Sequence, residues 1–218
     1  MQGEWHPAFE EYCECIFELD EDDVDVIQAR IADRLHVSRP AVSEMMKRLE
    51  AERLVTTTHT RIRLTDDGRQ LAERVVRRHR IAERFLTDIL GLSWADAHQE
   101  AGKWEHVMST GVEQALNRVL GEPTTCPHGN PIPGSRYVAP DVHRLGELDA
   151  GADFVVSRIP EELEFAPGVL EFLERSAITP GQAGHVTAAA ADGTVTVEID
   201  GRAVGVSAFA SSRILVTT

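Results

Sequence analysis

The 218-residue sequence contains no apolar run near the roughly eighteen residues needed to span a bilayer. Its opening stretch, MQGEWHPAFEEY, lacks the basic-then-apolar order of a secretory signal. These absences predict a soluble chain that stays in the cytoplasm and does not engage a membrane. Cysteine is scarce: Cys13, Cys15 and Cys126 are too few and too unevenly placed for a disulfide framework, and an odd count suits a reducing compartment. Cys13 and Cys15 stand two apart on a helix and so point to different sides, which reads as neutral helix positions rather than half a zinc site. There is no internal repeat or low-complexity segment. Lysine and arginine are missing altogether from residues 1–29, which hold ten acids.

With 42% hydrophobic residues the chain can bury a real core, enough for a main unit and a small second domain. Its net charge of −14 argues against nucleic acid, because DNA affinity rests on neutralised phosphates. The distribution reverses that argument. Residues 30–84 carry fourteen Lys and Arg against eight acids, whereas residues 85–218 carry eight against eighteen. A basic module between two acidic ones is an electrostatic footprint for DNA.

Helical spacing of Tyr12, Ile16 and Leu19 predicts a first helix over residues 8–19, followed by a polar turn over 20–25. A second short helix over 26–35 gives way to Ser38-Arg39-Pro40, where Ser38 can cap and Pro40 can occupy the first turn of a third helix reaching about Glu50. Val42, Met45, Met46 and Leu49 form the apolar stripe of that helix. Pro40, Ser43, Glu44 and Lys47 fall on the opposite face, with Arg48 beside them. The run LVTTTHTRIRLT then predicts a hairpin turning at His59-Thr60-Arg61, so the whole reads as a winged helix-turn-helix. The face of the third helix would enter the major groove with Ser43 and Glu44 as base readers, and Ser38 and Pro40 at its start. Arg39, Lys47, Arg48 and the wing residues Arg61 and Arg63 would hold phosphates.

Beyond the hairpin, Thr65 caps a long helix to about Gly91, Ser93 caps another to about Met108, and a third covers 110–120. A Pro/Gly-rich connection, PTTCPHGNPIPG, leads through a linker to short β-like runs at 154–156, 185–187, 194–199 and 213–216, with a helix near 168–175. The expected fold class is mainly α with a C-terminal β domain. Its parts are a winged helix-turn-helix over 1–75, a helical metal-binding and dimerisation domain over 76–140, a linker over 141–151 and a small β-barrel-like domain over 152–218.

The chemistry-bearing constellation lies on the long helices. His79 and Glu83 stand one turn apart, and His98, Gly102, Glu105 and His106 follow along one face of the next helix. Glu11 and Glu14, at three-residue spacing on the first helix, can present two carboxylates to the same place. Any one of these residues alone reads as a solvated glutamate or an exposed histidine. Together, repeating helical spacing over adjacent helices, they make a divalent-metal site. The rival readings are a dinuclear enzyme, although no separate nucleophile or phosphate-binding motif is present, and a metal-independent regulator with a structural His/Glu cluster.

HRIAERFLTDILGLSWADAHQEAGKWEHVMS and CPHGNPIPG resemble the diphtheria-toxin-repressor family of metal-dependent regulators, over about residues 8–140. Residues 152–218 look more loosely like that family's Src-homology-3-like domain. The resemblance implies a homodimeric, metal-activated repressor that binds double-stranded operator DNA, takes no small organic substrate and holds two metal ions per subunit. It implies that His79, Glu83 and His98 form an ancillary site, and that Glu105, His106, residue 102 and residue 11 form the primary one. It also implies ancillary ligands from the barrel domain, for which Glu164 is a candidate.

Iron-sensing members carry a methionine where this chain has Glu11 and a cysteine where it has Gly102. Glu11-Tyr12-Cys13-Glu14 instead looks like the first-helix motif of the manganese-responsive branch. Hard oxygen donors favour Mn²⁺, with Fe²⁺ as the alternative. Members of the manganese branch often have glutamate at position 102. Gly102 can answer only with its backbone carbonyl or with room for water.

Overall fold

The computed structural model describes residues 6–59 and 61–218. Helix α1 (Pro7–Glu21) begins with a proline in its first turn and with the His6 ring accepting from the Ala8 amide. Helix α2 (Gln28–Arg34) and helix α3 (Arg39–Ala51) follow, and the Ser38 hydroxyl accepts from the Ala41 amide to start α3. Strands β1 (Val55–Thr58) and β2 (Arg61–Leu64) pair antiparallel with Val55 opposite Leu64. The expected wing turn includes Thr60, which lies outside the described residues. Phe9, Ile16, Ile31, Val42, Met46, Leu49, Leu54 and Ile62 form one core with Leu71, Ala72 and Val76 from the first half of the next helix.

That helix, α4 (Asp66–Asp88), is capped by Thr65, whose hydroxyl accepts from the Gly68 amide. Gly68 is required here: a Cβ would stand 1.9 Å from the Leu54 carbonyl oxygen, so no other residue lets α4 pack this closely on the end of the head. Because α4 is continuous, it carries the winged-helix core at one end and the candidate site at the other. Helix α5 (Trp94–Trp104), capped by Ser93, packs along α4 through Ala82, Leu86, Ala97 and Ala101. Regular helix stops at Trp104, short of the expected Met108. The next turn is still held by Met108 N–H donating to the Trp104 carbonyl. Helix α6 (Thr110–Val119) closes the region and has no buried residue.

The C-terminal part is a six-stranded antiparallel sheet in the order β3-β8-β4-β5-β6-β7, formed by β3 (His143–Arg144), β4 (Asp153–Arg158), β5 (Ala183–Ala189), β6 (Val195–Ile199), β7 (Arg202–Val206) and β8 (Leu215–Thr217). The short helices α7 (Glu161–Glu164) and α8 (Val169–Arg175) lie between β4 and β5, and α9 (Ala208–Ser211) precedes β8. Asp200 and Gly201, both with positive φ, make the two-residue hairpin turn between Ile199 and Arg202. The stretch 141–151, expected as a linker, instead supplies β3, a 3-10 turn and the fully buried core residue Leu145. A two-residue strand leaves too faint a sequence pattern to read; its status comes from pairing with β8.

The sheet domain is docked on the helices. Trp94, the first residue of α5, sits in the core of the sheet domain, and its amide donates to the Glu174 carboxylate of α8. A carboxylate at the positive end of a helix is favourable.

Candidate metal centre and DNA interface

Helix α4 turns His79, Arg80 and Glu83 inward, all buried. From α5 and the turn after it come His98, Glu105 and His106, and from α1 come Glu10 and Glu14. Two other segments reach the same place. In the CPHGN loop, a Cβ on Gly129 would stand 2.4 Å from the Ser157 carbonyl, so glycine lets the loop lie on β4. There the His128 carbonyl accepts from the Ile159 amide. This close approach buries Cys126, His128 and Asn130 completely. Helix α7 adds Glu161 and Glu164.

His79 bridges the constellation. Its Nδ1 meets Glu105, and its Nε2 lies 3.1 Å from Glu83 Oε1 and 3.2 Å from His98 Nδ1. His98 Nδ1 is 3.0 Å from Glu83 and 3.2 Å from Glu164. His106 Nδ1 lies 2.9 Å from Glu10, and its Nε2 lies 3.1 Å from Glu105. Four sets of donor atoms fall within 4.8 Å of one another: His79-Glu83-His98, Glu14-Glu105-His106, Glu83-Cys126-His128 and His98-Glu161-Glu164. They line or adjoin a cavity of about 580 Å³.

The electrostatics are those of an acidic pocket. Burial opposes a charge on His79, yet Glu83 and Glu105 outweigh it and hold the ring well above the usual histidine range. Burial is likewise overcome at His98, which Glu164 and Glu83 push up to about 10. Hydrogen bonds that its ring donates to Glu10 and Glu105 push His106 up to about 9. Burial raises Glu14 well above the ordinary carboxylate range, reinforced by Glu105. Even so, buried polar atoms are left over: among the described residues Glu14 Oε1, Glu83 Oε2, Glu161 Oε2 and His128 Nε2 have no hydrogen-bond partner. His128 Nδ1 is 2.8 Å from Glu164 Oε2 but too oblique for a hydrogen bond, as two ligands facing a common centre would be. Orphaned buried carboxylates carry a large desolvation penalty that a divalent cation removes, so this donor set fits a metal.

The expected residues are not placed equally. His79, Glu83 and His98 converge, as do Glu14, Glu105 and His106. Glu11 is exposed and lines the cavity without joining either close set. Gly102 also lines it, with nothing within 4 Å of where a Cβ would stand, and among the described residues no hydrogen bond reaches its carbonyl. Cys126, His128, Glu161 and Glu10 were missed by sequence reasoning. The Cys-Pro-His spacing inside a loop and the Glu161/Glu164 pair at one helical turn were the available signals.

On the head, Ser38, Arg39, Pro40, Glu44, Lys47 and Arg48 are exposed and Ser43 is half-buried, so α3 presents a continuous polar face. The Ser38 hydroxyl is committed to its cap. Lys47 pairs loosely with Glu44, Arg48 lies over the Phe9 ring, and Arg61 on the wing is 2.8 Å from Asp25. Among the described residues no helix is long and apolar enough to cross a membrane.

Comparison with known proteins agrees with this architecture. Residues 6–61 match the family described as iron dependent repressor, N-terminal DNA binding domain, and residues 65–134 match iron dependent repressor, metal binding and dimerisation domain. The iron-dependent repressor IdeR of Mycobacterium tuberculosis is 40% identical over 204 residues, 88% of each chain. The diphtheria toxin repressor of Corynebacterium diphtheriae is 48% identical over 126 residues, 57% of this chain and 56% of that protein. A solved manganese-dependent transcriptional repressor in complex with manganese superposes with a TM-score of 0.86 at 30% identity, covering 96% of this chain and 99% of that one. The manganese regulator SloR superposes at 0.76, also with 30% identity, covering 96% and 97%. A DNA-binding head, a helical metal-binding and dimerisation region and a C-terminal sheet domain occur here in that family's order, and the chain belongs to the diphtheria-toxin-repressor family of metal-dependent transcriptional repressors.

Proposed function

We propose that this chain is a manganese-responsive repressor, acting in the cytoplasm as a homodimer on double-stranded operator DNA, with no catalytic role and no small organic substrate. Glu14, Glu105 and His106 would hold one ion, with Glu11 and the Gly102 carbonyl at its edge. His79, Glu83 and His98 would hold a second, with Glu164 beside it. The observation that carries the reading is the oxygen-rich first set: Glu14 of α1 stands with Glu105 and His106 of the α5 region, with no sulfur among them. Such hard donors suit Mn²⁺.

A bound cation supplies the positive charge that lets these buried carboxylates stay together. The protein does the rest. Glu14 ties α1, and with it the reading head, to the helices that pair subunits, which restricts the two heads to the spacing of a two-fold operator. If metal prefers the DNA-competent arrangement, DNA must raise metal affinity by the same factor. Pairing is supported by α6, which buries no residue and exposes Val112 and Val119, with Val107 exposed just before it. Arg39, Lys47, Arg48 and Arg61 would bind phosphates, with Ser43 and Glu44 facing bases.

An iron-responsive reading is favoured by one observation, the 40% identity to IdeR across most of both chains. Titration of operator binding with Mn²⁺, Fe²⁺, Co²⁺ and Zn²⁺ after chelation separates the two. Activation by Mn²⁺ at free concentrations below those needed for anaerobic Fe²⁺ supports manganese, and the reverse order supports iron. Operator affinity indifferent to chelator would sink both.

A further inference from the structure

Phe165 ends α7 on the sheet domain, yet its ring touches both other parts of the molecule. One side meets His98 of α5 edge-on, with ring centroids 5.2 Å apart and planes at 89°. Over the ring lies the guanidinium of Arg34, the last residue of α2, 4.2 Å from the centroid. Arg34 is unusual for an arginine of a reading head: its side chain is only 6% exposed, which removes it from the phosphate-binding surface. Among the described residues its sole ion pair is with Glu18 at 3.3 Å, and its buried Nη2 has no hydrogen-bond partner. The aromatic face therefore supplies the remaining compensation for a desolvated cation, the setting in which a cation–π contact is strongest.

We infer that Phe165 is a positioning residue, transmitting the orientation of His98 to α2 and so to the helix-turn-helix unit. The His98 ring plane is set by Glu83, Glu164 and His79 Nε2, which all face Nδ1. An edge-to-face contact is directional, so the Phe165 ring follows that plane. Arg34 must stay over the ring face or lose its compensation, and α2 moves with it. In helix-turn-helix proteins the first helix of the unit crosses the DNA backbone, so its tilt sets how the reading helix enters the groove. The inference rests on the proposed metal-holding role of His98.

The test uses the full-length chain and a duplex selected by the wild type with Mn²⁺ from a random-sequence pool. Operator affinity is read by fluorescence anisotropy with chelator and with saturating Mn²⁺. Mn²⁺ affinity without DNA is read by competition with a chromophoric chelator. Phe165→Leu keeps apolar bulk and removes the π face. It is expected to leave Mn²⁺ affinity and chelator-state operator affinity within about twofold of wild type, while the metal-induced gain in operator affinity falls about tenfold, the scale of one desolvated cation–π contact. Phe165→Tyr is expected to restore the gain. An undiminished gain in Phe165→Leu overturns the inference and leaves the metal reading intact. Equal loss with and without metal, or a parallel loss of Mn²⁺ binding, also overturns it, since packing alone then accounts for the residue. A wild type with no metal-induced gain removes the metal reading itself.

Discussion

Arg80 of α4 and Glu161 of α7 form an ion pair of 2.9 Å with essentially no solvent exposure on either side chain. The same guanidinium reaches Glu21 at the end of α1, 2.6 Å away, and donates to the Pro131 carbonyl. One buried arginine thus joins the head, the long helix, the CPHGN loop and the sheet domain.

Removing that arginine leaves Glu161 without its cation in low-dielectric surroundings and leaves Glu21 only Arg158, 3.1 Å away, among the described residues. Arg80→Met is expected to destabilise the chain by about 3–5 kcal/mol, the usual consequence of breaking one side of a buried pair. Urea unfolding followed by circular dichroism measures this. A loss below about 1 kcal/mol would show that water or rearrangement replaces the guanidinium.

Glu14 and Glu11 differ in placement despite adjacent turns: Glu14 is buried beside Glu105 and His106, whereas Glu11 is exposed on the cavity rim. Glu14→Gln is expected to weaken Mn²⁺ binding at least as much as loss of an outer-shell partner does, about tenfold to a hundredfold. Glu11→Gln should have the smaller effect. Calorimetric titration of each variant ranks them, and an equal or reversed ranking would mean that metal draws Glu11 inward.

Gly102 occupies a helix with open space where a Cβ would be. Gly102→Ala should therefore stabilise the fold by about 0.5–1 kcal/mol through backbone entropy. Gly102→Glu should be accommodated and raise Mn²⁺ affinity, because it adds a carboxylate to the cavity that Gly102 lines. Unfolding curves and metal competition test the two separately, and a destabilised alanine variant would show that the glycine is needed for another reason.

Asp22 accepts from Arg158 at 2.6 Å and from the Glu162 amide at 3.1 Å. Burial nonetheless pushes its carboxyl up to about 7, against the pull of Arg158. A folded pKa above the unfolded value means that the folded state holds the proton more tightly. That stabilisation is complete below the unmodified value of 3.8 and is lost as pH rises through about 7. Asp22→Asn abolishes the titration, so its stability relative to wild type should rise between pH 4.5 and 8 in urea unfolding. A flat difference across that range would show that Asp22 stays ionised in its pair.

The helices of the head were legible because their signals are local. Ser38, Thr65 and Ser93 each bond an amide three residues on, and the apolar stripe of α3 repeats within a few turns. His79, Glu83 and His98 could be singled out for the same reason, since helical spacing places them on facing surfaces of α4 and α5. Among the acids of α1 the sequence pointed to Glu11 and Glu14 and not to Glu10. Which of Glu10, Glu11 and Glu14 meets His106 and Glu105 depends on how α1 is rotated against α4, and that rotation is set by burying Phe9, Tyr12 and Ile16 in the head core.

By itself, then, the sequence determined the order of helices and strands, the basic head between acidic flanks and the residue types able to hold a divalent cation. All of these rest on composition and on interactions within about one helical turn. Only the tertiary structure decided that Cys126 and His128 join Glu83 and Glu164, that 143–144 pairs with β8, and that Arg80 and Phe165 bind three parts of the chain together. Those contacts link residues many turns apart, and close packing of the CPHGN loop and α7 against the long helices brings them within reach, a condition that no local pattern encodes.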